Sequence, residues 1–152
     1  MTKEKREFFS KNTIQESLCQ ITFKTPIELE KLAAFEKKII DVGIYTISEK
    51  LPFFNFNINL GGEEIAAPQK QSLNGLKLSN TNRDKVIQVF QNNLSIHQIG
   101  NYKTWEDFSA DIFSVLKVFS AIFDLQIARI DMRAINNFEF ITFDNAKDFL
   151  NL

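Results

Sequence analysis

The stretch Trp105–Asn136, WEDFSADIFSVLKVFSAIFDLQIARIDMRAIN, decides the fold of this chain. Its first part spaces apolar side chains in steps of three and four: Trp105, Phe108, Ile112, Val115, Leu116, Phe119, Ile122 and Phe123. That spacing is one buried stripe of a helix. Phe113 and Val118 widen the stripe, while Glu106, Ser109, Asp111, Lys117 and Ser120 fill the wet side. Thr104 with Asp107 three residues on is a variant of the capping box, and Glu106 and Asp107 favour the positive end of the helix dipole. About twenty residues rising ~1.5 Å each make a rod of roughly 30 Å, long enough to cross a sheet. The pattern is that of a core helix, not of a cofactor box. After Asp124 the period changes to two. From about Leu125 to Asn136, Ala128, Ile130, Met132 and Ala134 share one face of a strand, and Ile127, Arg129, Asp131, Arg133 and Ile135 the other.

Working outward, Ile14–Lys24 reads as a strand with Cys19, Ile21 and Phe23 on its apolar side. Thr25-Pro26-Ile27-Glu28 has the form of a helix start, with Thr25 as N-cap and Pro26 in the first helical position. The helix predicted there turns Leu29, Leu32, Ala33, Phe35, Ile39, Ile40 and Val42 inward and stops at Gly43. Ile44–Leu60 follows as a strand interrupted by Pro52, with Phe54, Phe56, Ile58 and Leu60 alternating against Asn55, Asn57 and Asn59. Residues 63–72 read as a loop. Three short strands, about Leu73–Ser79, Lys85–Gln91 and Leu94–Ile99, then form a meander. Its turns fall at Asn80–Asp84 and at Asn92-Asn93, where asparagine tolerates positive φ. Beyond the long helix and its strand, Phe138–Phe143 reads as one more strand and Asn145–Leu150 as a short terminal helix. The sum is an α+β fold, β-α-β-β-β-β-α-β: an antiparallel sheet of about six strands with two helices on one face. Residues 1–13 read as a flexible tail and 14–152 as a single domain.

With 152 residues, 44% of them hydrophobic, and a net charge of −1, the chain has the balance of an ordinary globule. That balance argues against a nucleic-acid surface or a membrane-binding face. No apolar run approaches the ~20 residues that span a bilayer, and the opening residues are not a signal peptide, so a cytoplasmic location is expected. A single cysteine, Cys19, excludes an internal disulfide and a cysteine-based zinc cage. The 16 phenylalanines fit an AT-rich coding bias better than a phenylalanine-lined pocket.

Chemistry-bearing motifs are scarce. His97 is the only histidine, so a Ser-His-acid arrangement must run through it, and no nucleophile elbow accompanies it. Phosphate-binding glycine loops and the His-Glu-x-x-His zinc motif are missing from the sequence. Glu63, Glu64 and Asp84 form a weak carboxylate set for magnesium, and no metal site or cofactor is assigned. Lys77, Arg83 and Lys85 make a minor basic spot that reads as solvated. The best candidate site is the row Arg129, Asp131, Arg133, flanked by Ile127 and Ile135. Alternate residues of a strand share a face, so a guanidinium pair steadied by Asp131 can dock a carboxylate, a phosphate or a partner's acidic group.

Several segments resemble a sporadically distributed bacterial family of uncharacterised proteins. The likeness rests on the Glu-containing first strand ending Ile21-Thr22-Phe23, and on the pair Val86–Phe90 and Leu94-Ser95-Ile96. It also rests on the Tyr102-x-x-Trp105-x-x-Phe108 helix start and on Arg129-Ile130-Asp131-Met132-Arg133-Ala134-Ile135-Asn136. In the last motif Asp131 and Ala134 replace the family's Gly and Tyr. The resemblance implies correspondence to the family's N-terminal part, lends no catalytic residues, and is compatible with an accessory role in bacterial defence or regulation.

The functional expectation is therefore a non-enzymatic interaction module. It would bind a protein partner, or a second copy of itself, through the uncovered sheet face. The alternative is a sensor domain for an anionic small molecule or nucleotide. An enzyme using carboxylates, such as a nuclease, ranks below both.

Overall fold

Residues 13–53 and 72–137 are described by the structure, a computed structural model. Six strands, β1 (Ile14–Phe23), β2 (Ile47–Phe53), β3 (Ser72–Ser79), β4 (Lys85–Phe90), β5 (Asn93–Ile99) and β6 (Ile127–Asn136), form one antiparallel sheet. Two helices accompany them, α1 (Leu32–Asp41) and α2 (Trp105–Ser120). The element order is the expected β-α-β-β-β-β-α-β. The spatial order is β2-β3-β4-β5-β1-β6, so the first strand lies between the fifth and the last. The strand pattern 54–60, the loop 63–71, the strand 138–143, the terminal helix and the tail 1–12 lie outside the described residues.

Both helices pack on one face. There Cys19, Ile21 and Phe23 of β1 meet Leu76, Leu78, Ile87, Val89, Leu94 and Ile96 under Leu32, Phe35, Ile39, Phe108, Ile112, Val115 and Phe119. The expected faces of β1, α1 and α2 are largely those observed. Thr104 caps α2 as its sequence predicts: its hydroxyl accepts from the Asp107 amide at 3.1 Å and donates to the Asp107 carboxylate at 2.9 Å. Phe119 is the centre of an aromatic cluster, with ring centroids 4.4 Å from Phe123, 5.2 Å from Phe35 and 5.5 Å from Phe23.

Four expectations are corrected. Thr25-Pro26 does not open a helix; a 3-10 turn at Leu29–Lys31 leads into α1, without a side-chain cap. The reason is tertiary: the Ile27 amide donates to the Gln91 carbonyl at 2.8 Å, which holds the chain extended against the β4–β5 turn while Ile27 is buried. Ala33 of α1 and Val42, the residue that ends it, are exposed. Trp105 and Phe113 do not share the α2 stripe; they are 50% and 69% exposed. Positive φ falls at Arg83, Gly43, Gly100 and Asn101 among the described residues, not at Asn92-Asn93. Pro52 sits inside β2, at a register shift on the strand that is outermost among the described residues, where its missing amide is tolerated.

Tyr45, 3% exposed, follows the Gly43 turn into the core. Burial, and then the Asp111 charge, hold its phenol above the ordinary value. A raised phenol contributes stability that is complete below the unfolded value of about 10 and is lost as the pH rises beyond it, because the unfolded chain releases the proton first. The melting temperature should therefore fall above about pH 10, and Tyr45→Phe should flatten that fall. A pH series of melting curves on both chains checks this; parallel curves would refute it.

Candidate functional site

β6 carries the candidate row. Thr22 faces Arg129, Gln20 faces Asp131, Leu18 faces Arg133 and Glu16 faces Ile135 across the β1–β6 ladder. Directly opposed residues lie on one face. Arg129, Asp131, Arg133 and Ile135 are therefore on the face opposite the helices. A register shift between Thr22 and Phe23 pairs Ile127 with Phe23, a helix-side residue, so the bulge takes Ile127 out of the row. Arg129 Nε donates to Asp131 Oδ2 at 2.7 Å. No ion pair is found for Arg133 among the described residues. Its neighbour Ile135 is 53% exposed, and Ile99, across Glu16 on β5, is 43% exposed.

β6 differs from the rest of the sheet in that nine of its ten residues are exposed and Asp131 is half-buried. α2 ends at Ser120, short of the roughly twenty residues expected, and the helix layer leaves the inner side of β6 open. Ile130 and Met132, which face Ile21 and Cys19, are 55% and 46% exposed. Away from β6 the second face is less open than its lack of a described covering element suggests. Ser79, Val86 and Ser95 at its centre are buried. The accessible part of the candidate surface is thus the β6 margin.

His97 stands on that second face in a three-residue chain. Its Nδ1 lies 2.6 Å from Glu16 Oε1 and its Nε2 lies 2.9 Å from Ser95 Oγ. The distances are those of a nucleophile, base and orienting acid. Two features argue against acyl-transfer chemistry. Ser95 is 6% exposed, and β5 is paired on both sides, so its amides are directed into ladders rather than at a developing oxyanion. The chain reads as a polar strut joining β1 to β5. His97→Ala, which strands the Glu16 carboxylate, should cost about 1–3 kcal/mol in urea unfolding, whereas Ser95→Ala should cost ~1 kcal/mol or less.

The basic spot of the sequence is spent on ion pairs. Lys77 lies 3.4 Å and Arg83 3.9 Å from Glu49, and Lys85 lies 2.6 Å from Asp111 of α2. Asp84 accepts from the amides of Asn80 and Asn101, which hold its carboxyl below the ordinary value. It organises the Asn80–Asp84 turn. Glu63 and Glu64 lie outside the described residues, among which no cluster of three metal-ligating side chains occurs. A cleft of about 590 Å³ at the start of α2 is lined by Lys85, Lys103 and Asn101 but also by Asp84, Asp107 and Asp111. Its acids offset its bases, which disfavours an anionic ligand there.

Cys19, 2% exposed between β5 and β6, has its thiol pushed up by burial. It should resist a thiol reagent in the native chain and react fully on unfolding, since the thiolate is the nucleophile. Fast native labelling would contradict that. No described helix is long and apolar enough to cross a membrane. The chain matches no protein-family model, no curated protein and no solved structure.

Proposed function

We propose that this chain is a non-enzymatic interaction module that binds a protein through the β6 side of its sheet. The observation that carries the reading is the exposure of β6 on both faces, combined with its composition. Arg129, Asp131 and Arg133 alternate with Ile130 and Met132, and Ile135 extends the row. Mixed guanidinium and aliphatic groups on an exposed strand suit a protein surface, which can satisfy both. A small anion needs a concave site with convergent donors, and the Arg129 guanidinium is already engaged by Asp131.

Reversal of both arginines, Arg129→Glu with Arg133→Glu, tests the reading. The exposed ion pair is worth only ~0–1 kcal/mol, so the melting temperature should move by no more than a few degrees while association is abolished. Unfolding of the double variant would make the arginines structural and end the proposal. Thermal-shift screening of the parent chain against nucleotides and inorganic phosphate should give no stabilisation. A shift that vanishes in Arg133→Glu would favour an anion sensor instead.

A further inference from the structure

The two margins of the sheet are built differently. β2, at one margin, carries Pro52 and Lys50 within seven residues, and its ladder with β3 shifts register at the proline. Those are the devices that stop an exposed strand from recruiting another. β6, at the other margin, runs for ten residues without a proline or a lysine; its ladder with β1 shifts register near both ends, between Ile14 and Glu16 and between Thr22 and Phe23, and keeps one unbroken register from Arg129 to Ile135. Among the described residues it has a neighbour, β1, on one side only. Alternate backbone amides and carbonyls along β6 therefore point away from the sheet. Such a margin is a template for strand addition.

We infer that the strand it recruits is β6 of a second copy of this chain, antiparallel, with Met132 opposite Met132 on the twofold axis. The inference rests on the interaction-module reading and adds the occupant and the register. Charge selects the register. Pairing centred on Asp131 would set Asp131 against Asp131 and Arg129 against Arg133, like charges in direct opposition. A twofold passes through that arrangement without relieving it, so it is disfavoured.

Sliding the register by one residue per strand, to Met132, sets Asp131 of each copy against Arg133 of the other. Arg133 is the guanidinium with no ion pair of its own among the described residues, and Asp131 keeps its bond to Arg129. The result is a mirrored network, Arg129 to Asp131 to Arg133 of the second copy, formed twice. On the helix side, Ile130 falls against Ala134 and the two Met132 side chains meet, covering groups that are now about half exposed. Ala128 through Asn136 find partners. The opposite slide, centred on Ile130, pairs Arg129 with Asp131 but competes with their existing bond and sets Ile127 against Arg133. It also engages less of the strand. The Met132 register satisfies more charge and more backbone, and it joins two sheets edge to edge.

Light scattering and sedimentation of the intact chain across micromolar concentrations test this. A concentration-dependent dimer is expected. Asp131→Arg sets arginine against Arg133, and Arg133→Asp sets aspartate against Asp131. Because the twofold repeats each contact, either change should weaken the dimer about tenfold. The swap Asp131→Arg/Arg133→Asp should restore it, since the pair is re-formed with its signs exchanged. Met132→Arg, which brings two guanidinium groups together on the axis, provides a disruption independent of the Asp131 pair. Circular dichroism on each variant establishes that it is folded.

A parent chain that stays monomeric at every concentration overturns the inference, as does a dimer indifferent to the single changes or not restored by the swap. These failures differ from failure of the wider reading. That one is marked by unfolding of the doubly reversed arginine variant, whereas a folded monomer leaves β6 available to a different protein.

Discussion

Phe119→Ala should remove about 3–5 kcal/mol of folding stability, the largest loss expected from one side-chain truncation in this chain. Phe119 is fully buried and touches rings from three elements: Phe23 of β1, Phe35 of α1 and Phe123 just past α2. Truncation removes its own burial and also strips those rings of their common neighbour, leaving a cavity that backbone elements on three sides cannot collapse into. Domains of this size are stable by about 5–15 kcal/mol, so the variant should sit close to its unfolding limit. Phe113→Ala supplies the contrast. It lies in the same helix but is 69% exposed, and its truncation should change stability by ~0.5 kcal/mol or less. Urea denaturation of the two variants decides the matter; equal losses would mean that the assignment of the α2 faces is wrong.

Gly75→Val should be destabilising by about 3 kcal/mol or more, although strand propensity alone would make valine the better residue by up to ~1 kcal/mol. Gly75 lies in β3 opposite Phe90, with the Phe90 ring across it. A Cβ built there would collide with the Val89 carbonyl oxygen and approach Phe90 Cδ1 to 2.9 Å. Its φ is not in the left-handed region, so the requirement is for space and not for an unusual backbone. The obstacle is main chain in an interior strand, which cannot step aside without breaking ladder bonds on both sides. A melting temperature raised by the substitution would show that propensity outweighs the close approach.

Local periodicity made much of the fold readable. The Thr104 cap, the buried Phe108, Ile112, Val115 and Phe119 positions, the alternating faces of β1 and the meander all follow from contacts within a few residues. Failures occurred where a distant group intervened. The Thr25-Pro26 signal for a helix is sound locally, but the bond from Ile27 to Gln91 holds that segment extended. Trp105 lies at the first position of α2, on the margin of the stripe, and Phe113, one residue past Ile112, is turned roughly 100° away from it, so both stay exposed. The row Arg129, Asp131, Arg133 was legible because alternation on a strand needs no tertiary knowledge. Ile127 was misplaced because a bulge leaves no mark in composition. Nor could spacing reveal that β6 forms a margin, since strand order depends on pairings between residues more than a hundred positions apart. The approach of Glu16 to His97 was hidden for the same reason.

The position of β1 has a consequence for how the molecule assembles. The earliest of the six described strands is gripped on its two flanks by β5 and by β6, the latest of them. β3, β4 and β5 can zip together through short hairpins as they are made, whereas β1 finds its first partner only when β5 is available. Closing so large a loop is slow. A ribbon of β3, β4 and β5 can therefore form before β1, which ends up beside the β6 margin, has joined it, and that is when a chaperone would find the most to hold.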